Sequence, residues 1–238
     1  MTVRKKKTLV AGIGMFLSLA LLAVIPIPRQ VSSSKRIRTD EIAVFLQDGD
    51  VICRMGDRLW SVLFKDISPV DKRFSHLGII RIVDGAITVI NAEGRAIEGK
   101  DCVNETTLEE FLSIAKAVGI YRLHDYEGKA VSSVAMEYIG YPFDWSFDLH
   151  DESKLYCTEL LYAVIKKIAP EIQLQTLFQK DLSKEIIPLD AVSNSNYFRE
   201  IVYVTSGERY VVVPGTAFNI FLKNAAFLRM GEQRLFLY

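Results

Sequence analysis

The chain has 238 residues, half of them hydrophobic, and its 29 lysines and arginines balance its 29 aspartates and glutamates. That length suits one catalytic-size domain with a small extension, since domains commonly hold about 100–200 residues. The balanced charge gives no reason to expect a nucleic-acid partner. With no zinc-type cysteine spacing, no glycine-rich phosphate loop and no internal repeat, neither a cofactor nor a metal is expected.

Arg4, Lys5, Lys6 and Lys7 precede an uncharged run from Thr8 to Pro28. A basic flank before an apolar run of that length is an export signal or a membrane anchor. The end of the run, Ala23 to Pro28, lacks a small-x-small cleavage pattern, which favours a retained anchor over residues 1–28. No cysteine lies near it, so lipoprotein attachment is excluded. The basic flank stays inside, so the rest crosses the membrane. The expected place is the cell envelope, anchored in the inner membrane and facing the periplasm, or secreted if the run is cleaved. Residues 29–44 are basic and Ser-rich and read as a polar tether.

The domain is expected over residues 45–206. Gln47 to Asp50 is a turn, Val51 to Arg54 a short strand, and Arg58 to Val70 a helical segment with Trp60, Leu63 and Phe64 at helical spacing. Two β-rich runs, Ser75 to Val83 and Ala86 to Glu93, flank Asp84-Gly85, the signature of a hairpin with a two-residue type I′ turn. Such a turn fixes the register: Val83 faces Ala86, Ile82 Ile87, Ile80 Val89, Gly78 Asn91, and His76 Glu93. Opposed residues share a face with Cβ atoms roughly 4.5–5.5 Å apart, close enough for a carboxylate to orient an imidazole. Gly78 is expected to leave open space on that face, useful where another backbone or a substrate must approach.

Thr107 and Glu110 form a capping box, predicting a helix to about Val118, followed by a strand from Gly119 to Leu123. Tyr126 to Tyr138 reads as a helix ended by Gly140. Gly140 to Phe147 is an aromatic loop that either covers a core or walls a cleft. Next, Leu160, Leu161, Val164, Ile165 and Ile168 recur at helical spacing before Pro170, which places Cys157 at the mouth of an amphipathic helix. Unpaired N–H groups and the positive end of the helix dipole favour a thiolate there. Strands follow at Ile201 to Val204 and Tyr210 to Val213. Residues 207–238 end in an apolar tail that either docks on the domain or touches a membrane surface.

Three cysteines in an exported chain leave one odd. Cys53 paired with Cys102 would leave Cys157 free, while Cys53 in its alternating run also reads as plain core. Among the histidines, His150 is near Cys157 in sequence but in a loop, and His124 reads as a surface residue. Glu159 is expected to make a structural hydrogen bond, with a binding role left open.

Ser75-His76-Leu77-Gly78-Ile79, Asn91-Ala92-Glu93-Gly94, Gly140-Tyr141-Pro142-Phe143-Asp144 and Tyr156-Cys157-Thr158-Glu159-Leu160 stand in a telling order. Together with Asp48-Gly49-Asp50-Val51 they resemble the permuted papain-like amidases, the YaeF/YiiX-type branch of the NlpC-type cysteine peptidases. The resemblance spans roughly Phe45 to Val204, with Thr158 where serine is common and Phe143 where tyrosine is common. It implies an α+β, circularly permuted papain-like fold, in which an antiparallel sheet or small barrel packs against helices, one of which presents the cysteine. It matches Cys157 to the nucleophile, His76 to the general base and Glu93 to the third polar residue. Tyr156 matches an aromatic position near the oxyanion, and Tyr141 and Asp144 join it as candidate oxyanion or substrate-binding residues.

The implied activity is hydrolysis of an amide through a thioester, on a cell-wall peptide crosslink or a similar acyl or γ-glutamyl amide. Related permuted folds include lecithin:retinol acyltransferase-like enzymes, so a membrane-associated lipid acyl hydrolase or acyltransferase is the alternative. A non-catalytic binding domain is the third reading. The expected partners are a small amide, peptide or lipid-derived substrate and, through residues 1–28, the membrane.

Overall fold

In this computed structural model the described residues are 36–95, 100–180, 183–206, 210–213, 228–230 and 233–237. The apolar run and its basic flank lie outside them. Among the described residues no helix is long and apolar enough to cross a membrane.

The fold is α+β, built on one sheet. Its strands are β1 (Val51–Gly56), β2 (His76–Val83), β3 (Ala86–Arg95), β4 (Lys100–Thr107), β5 (Ala115–Leu123), β8 (Phe198–Thr205), β9 (Tyr210–Val213), β10 (Leu228–Met230) and β11 (Gln233–Leu237). They lie in the order β10-β11-β9-β8-β5-β1-β2-β3-β4. All described pairings in it are antiparallel except β9 with β11, which is parallel. A separate hairpin joins β6 (Leu177–Gln179) to β7 (Lys184–Ile186). The helices are α1 (Thr39–Ile42), α2 (Leu59–Ile67), α3 (Leu108–Leu112), α4 (Gly128–Met136), α5 (Cys157–Ile168) and α6 (Asp190–Ser193).

The hairpin of β2 and β3 forms as its turn chemistry requires. Asp84 and Gly85 have φ of 50° and 82°, the two positive values of a type I′ turn. The ladder runs from Val83↔Ala86 to Ile79↔Ile90 in the expected register. On its other edge β2 pairs with β1, which sets Arg54 opposite His76. Of the two uses expected for the space at Gly78, the approach of another backbone is the one realised. A Cβ there would lie 2.5 Å from Val89 Cγ1 and 3.0 Å from Ile90 O, so the glycine lets β3 come close and leaves no room for a substrate.

Alternation along the strands divides the core into two layers. One layer puts Val51, Cys53, Leu77, Ile79, Ile90 and Ala92 against α4 and α5. Helix α5 contributes Leu160, Leu161, Val164 and Ile165, all at most 1% exposed. Each such side chain contributes about 1.5–3 kcal/mol on burial. The other layer packs Ile52, Ile80, Val89 and Ile120 under Ile42, Leu108 and Phe111.

Three expectations about elements are corrected. Thr107 does cap a helix, its hydroxyl accepting Glu110 N–H at 3.1 Å, but α3 ends at Leu112. The chain then enters β5 at Ala115, whose buried run joins the core as a strand. Strand β4 was not expected; its polar residues alternate on the outermost described strand beside β3. Helix α4 starts at Gly128 and stops at Met136, two residues inside the expected span at each end. In the tail, β10 and β11 extend the sheet beyond β9, so the described part of residues 207–238 is joined to the domain by strand pairing.

Candidate active site

Helix α5 begins at Cys157, with Tyr156 at the N-cap in extended conformation. Its first N–H groups have no partner within the helix. Glu159 Oε2 accepts the Tyr156 N–H at 3.3 Å, the acidic half of a capping box, so its structural role is as expected. Burial pushes the Glu159 carboxyl up to about 8; the Tyr156 N–H opposes this, and Asp144, Asp148 and Asp151 add to it. Cys157 is half-buried, and the thiol opens on a cleft.

His76 is the first residue of β2, at the strand end that α5 approaches. Its Nε2 stands 2.9 Å from Asn91 Oδ1 and 3.2 Å from Glu93 Oε1. Both are acceptors, because the Asn91 amide is turned so that its nitrogen donates to Val89 O at 3.5 Å. The ring proton therefore belongs on Nε2, and Nδ1 is left for the thiol. Burial and the Arg54 charge lower the proton affinity of His76. The Glu93 charge and side-chain hydrogen bonds to Cys157 and Glu93 outweigh them, raising the ring from 6.5 to about 9. The ring is therefore suited to hold a proton taken from a nearby thiol.

Glu93 does not serve His76 alone. Arg54, 4% exposed, donates Nη2 to the same Oε1 at 2.5 Å and Nη1 to Phe111 O at 2.9 Å. Its guanidinium lies over the Phe111 ring at 4.2 Å, and that ring also faces His76 at 5.8 Å. The hairpin register places Asn91 and Glu93 two residues apart on one strand face. Asn91 could thus have been found by the same rule that brought Glu93 to His76. Arg54 carried no such signal, because a helix and a long loop separate β1 from β2 and leave their register unset by any tight turn.

The cleft holds about 460 Å³. One wall is the aromatic loop, with Phe143, Trp145 and Phe147; the other is Ile186 to Leu189. Ile187 is tied to the helix mouth by both backbone groups. Its N–H donates to Tyr156 Oη at 2.9 Å, and its C=O accepts Thr158 Oγ1 at 2.7 Å. The Tyr156 hydroxyl is thus engaged in holding this wall. Tyr141 and Asp144 are not among the residues lining the cleft. Tyr141 packs edge-on against Tyr138 at 5.3 Å. Asp144 is fully buried and accepts the N–H groups of Ser146 at 2.8 Å and Asp148 at 2.6 Å, fixing the aromatic loop from behind. The loop thus does both things its composition allowed, walling the cleft and packing on the core.

His150 is exposed in its loop and His124 is on the surface. All three cysteines are free, so Cys53 and Cys102 do not pair. Cys53 is a core residue facing α5, and Cys102 sits on β4 opposite Glu93.

A family model described as permuted papain-like amidase enzyme, YaeF/YiiX, C92 family, matches residues 45–213. A crystal structure described as metalloprotein yiiX from Escherichia coli O157:H7 is similar at 16% identity with a TM-score of 0.53, covering 65% of this chain and 96% of that one. At that identity the likeness shows the fold. No curated protein matches the chain. Among the described residues, no donor set fits the metal that this description implies for that protein. Among the described residues no group of three or more His, Cys, Asp or Glu side chains is placed to hold an ion. Glu93 is moreover already bound to Arg54.

Proposed function

Because the chain belongs to the permuted papain-like amidase family of YaeF/YiiX type, we propose that it cleaves an amide bond through a thioester on Cys157. His76 Nδ1 takes the thiol proton, and Sγ attacks the carbonyl carbon. The Cys157 N–H at the helix mouth is the natural donor to the resulting oxyanion. The proton on Nδ1 then passes to the leaving nitrogen and the C–N bond breaks. His76 next deprotonates a water, which attacks the thioester and frees the acid. Asn91 and Glu93 hold the Nε2–H throughout and stabilise the imidazolium. The observation that supports this reading is the pair of acceptors on Nε2, which leaves the other ring nitrogen to take a proton.

The substrate proposed first is an amide of the cell wall or a similar acyl amide. The anchor read from residues 1–28 would hold the domain outside the inner membrane, beside such material. The apolar walls of the cleft, among them Phe143, Phe147, Ile187 and Leu189, favour a second reading in which the acyl part is a lipid chain. A binding domain without chemistry has no use for a base, an orienting acceptor and a thiol in one cleft.

The chemistry is tested by alkylating Cys157 with iodoacetamide at mildly acidic pH. A rate well above that of an ordinary thiol, lost in His76→Asn, is expected; an ordinary rate sinks the activated-thiolate reading. Incubation with peptidoglycan fragments and with phospholipid vesicles, followed by mass spectrometry, separates the two substrate classes. Lipid turnover without peptide release would overturn the first.

A further inference from the structure

His76 has a charged neighbour on each flanking strand. Glu93 on β3 is the expected one. Arg54 on β1, directly opposite His76 in the register, is the other. Both cations use one acceptor: Glu93 Oε1 lies 2.5 Å from Arg54 Nη2 and 3.2 Å from His76 Nε2. Arg54 and Glu93 are nearly sealed from solvent, with side chains 5% and 7% exposed.

We propose that Arg54 is a positioning residue for the acid–base step at His76. By sharing Glu93 Oε1 with the ring, it keeps the carboxylate ionised and limits how tightly that carboxylate retains the imidazolium proton. The inference rests on His76 as the base of the proposed reaction.

The argument is one of charge count in a buried site. With Arg54 present, deprotonated His76 leaves behind a neutral Arg54–Glu93 pair. Without Arg54, it would leave the buried carboxylate without the guanidinium at its Oε1, which is costly. The ring would then keep its proton to higher pH and be a poorer acid towards the leaving nitrogen. The other groups facing His76 do not replace Arg54. Helix α5 brings the Cys157 thiol, α3 the Phe111 ring, and β3 the neutral Asn91. Arg58, before α2, is a further cation lining the same cleft. Burial and Arg54 are indeed the two influences that lower the proton affinity of His76, against Glu93 and the hydrogen bonds that raise it.

A purely structural Arg54, anchoring Phe111 O, would change stability and leave the ring titration in place. The test is an NMR titration of the His76 ring in the full chain, its resonance assigned by loss in His76→Asn. In folded Arg54→Gln the midpoint should rise by about one pH unit or more, and in Arg54→Lys stay near that of the unaltered chain. An unchanged or lowered midpoint in Arg54→Gln overturns the proposal. Should that variant not fold, Glu93→Gln decides. With the Glu93 charge gone and Arg54 retained, the His76 midpoint must drop below 6.5, and a midpoint at or above 6.5 overturns it equally. These readings need no substrate, so they are independent of the alkylation test that decides whether His76 serves Cys157.

Discussion

His76 Nε2 lies closer to Asn91 Oδ1, at 2.9 Å, than to Glu93 Oε1, at 3.2 Å. The amide, held by its own bond to Val89 O, thus sets the ring plane, while the carboxylate supplies charge. Asn91→Ala should leave the fold intact and slow alkylation of Cys157 by up to about 10²-fold, the usual cost of a misplaced catalytic group. A rate equal to that of the unaltered chain would return the orienting role to Glu93.

Two titrations at the site act on stability in overlapping pH windows. His76 is raised from 6.5 to about 9, so the folded state binds its proton more tightly than the unfolded chain. Its contribution is complete below pH about 6.5 and is lost as pH climbs through 9. Glu159, raised from 4.5 to about 8, is kept neutral by burial, so stability falls from pH 4.5 upwards and levels off above 8. Denaturant midpoints followed against pH should lose the lower part of this decline in Glu159→Gln and the upper part in His76→Asn. A decline identical in all three proteins would show that neither group carries it.

Thr158 and Tyr156 each serve one backbone group of Ile187. Thr158→Val leaves the carbonyl, and Tyr156→Phe leaves the N–H, buried and unpaired. Each should cost about 1–3 kcal/mol in chemical unfolding. The double variant should cost less than the sum, because both bonds hold one segment. If Tyr156→Phe instead slowed thioester formation with unchanged stability, its hydroxyl would belong to the oxyanion site.

Gly78→Ala would set a methyl 2.5 Å from Val89 Cγ1. Overpacking of this kind costs about 1–3 kcal/mol. The strand it pushes away carries Asn91 and Glu93, so alkylation of Cys157 should slow as well. A stable variant with unaltered reactivity would mean that β3 has slack which the packing does not suggest.

Local chemistry made the hairpin and the helix mouth readable. Asp84-Gly85 sets a turn type, the turn sets a register, and the register brings Glu93 to His76 without any long-range information. Periodicity after Cys157 likewise reports α5 directly. Arg54 escaped, since its partner lies on a strand about twenty positions along, after a helix. Strand β4 escaped because its polar composition has no apolar alternation to betray it. The capping box of Thr107 predicted a start that formed, but a cap says nothing about length, and tertiary burial of Ala115 to Leu123 claimed the rest for the sheet. Tyr141 and Asp144 stand out in the sequence by their place in a motif; Asp144 is buried and binds the loop backbone, while Tyr141 packs against Tyr138, contacts that the motif does not announce.

The double tether of Ile187 gives the site a division of movement. The Cys157 thiol and the apolar wall ride together on the start of α5, whereas His76 belongs to the sheet. Any shift of that helix over Leu77, Ile79 and Ile90 carries a bound acyl group along with the sulfur and alters only their distance from His76. Loosening the seat of α5, as Leu161→Ala would, should therefore lower turnover and leave substrate affinity nearly as it was.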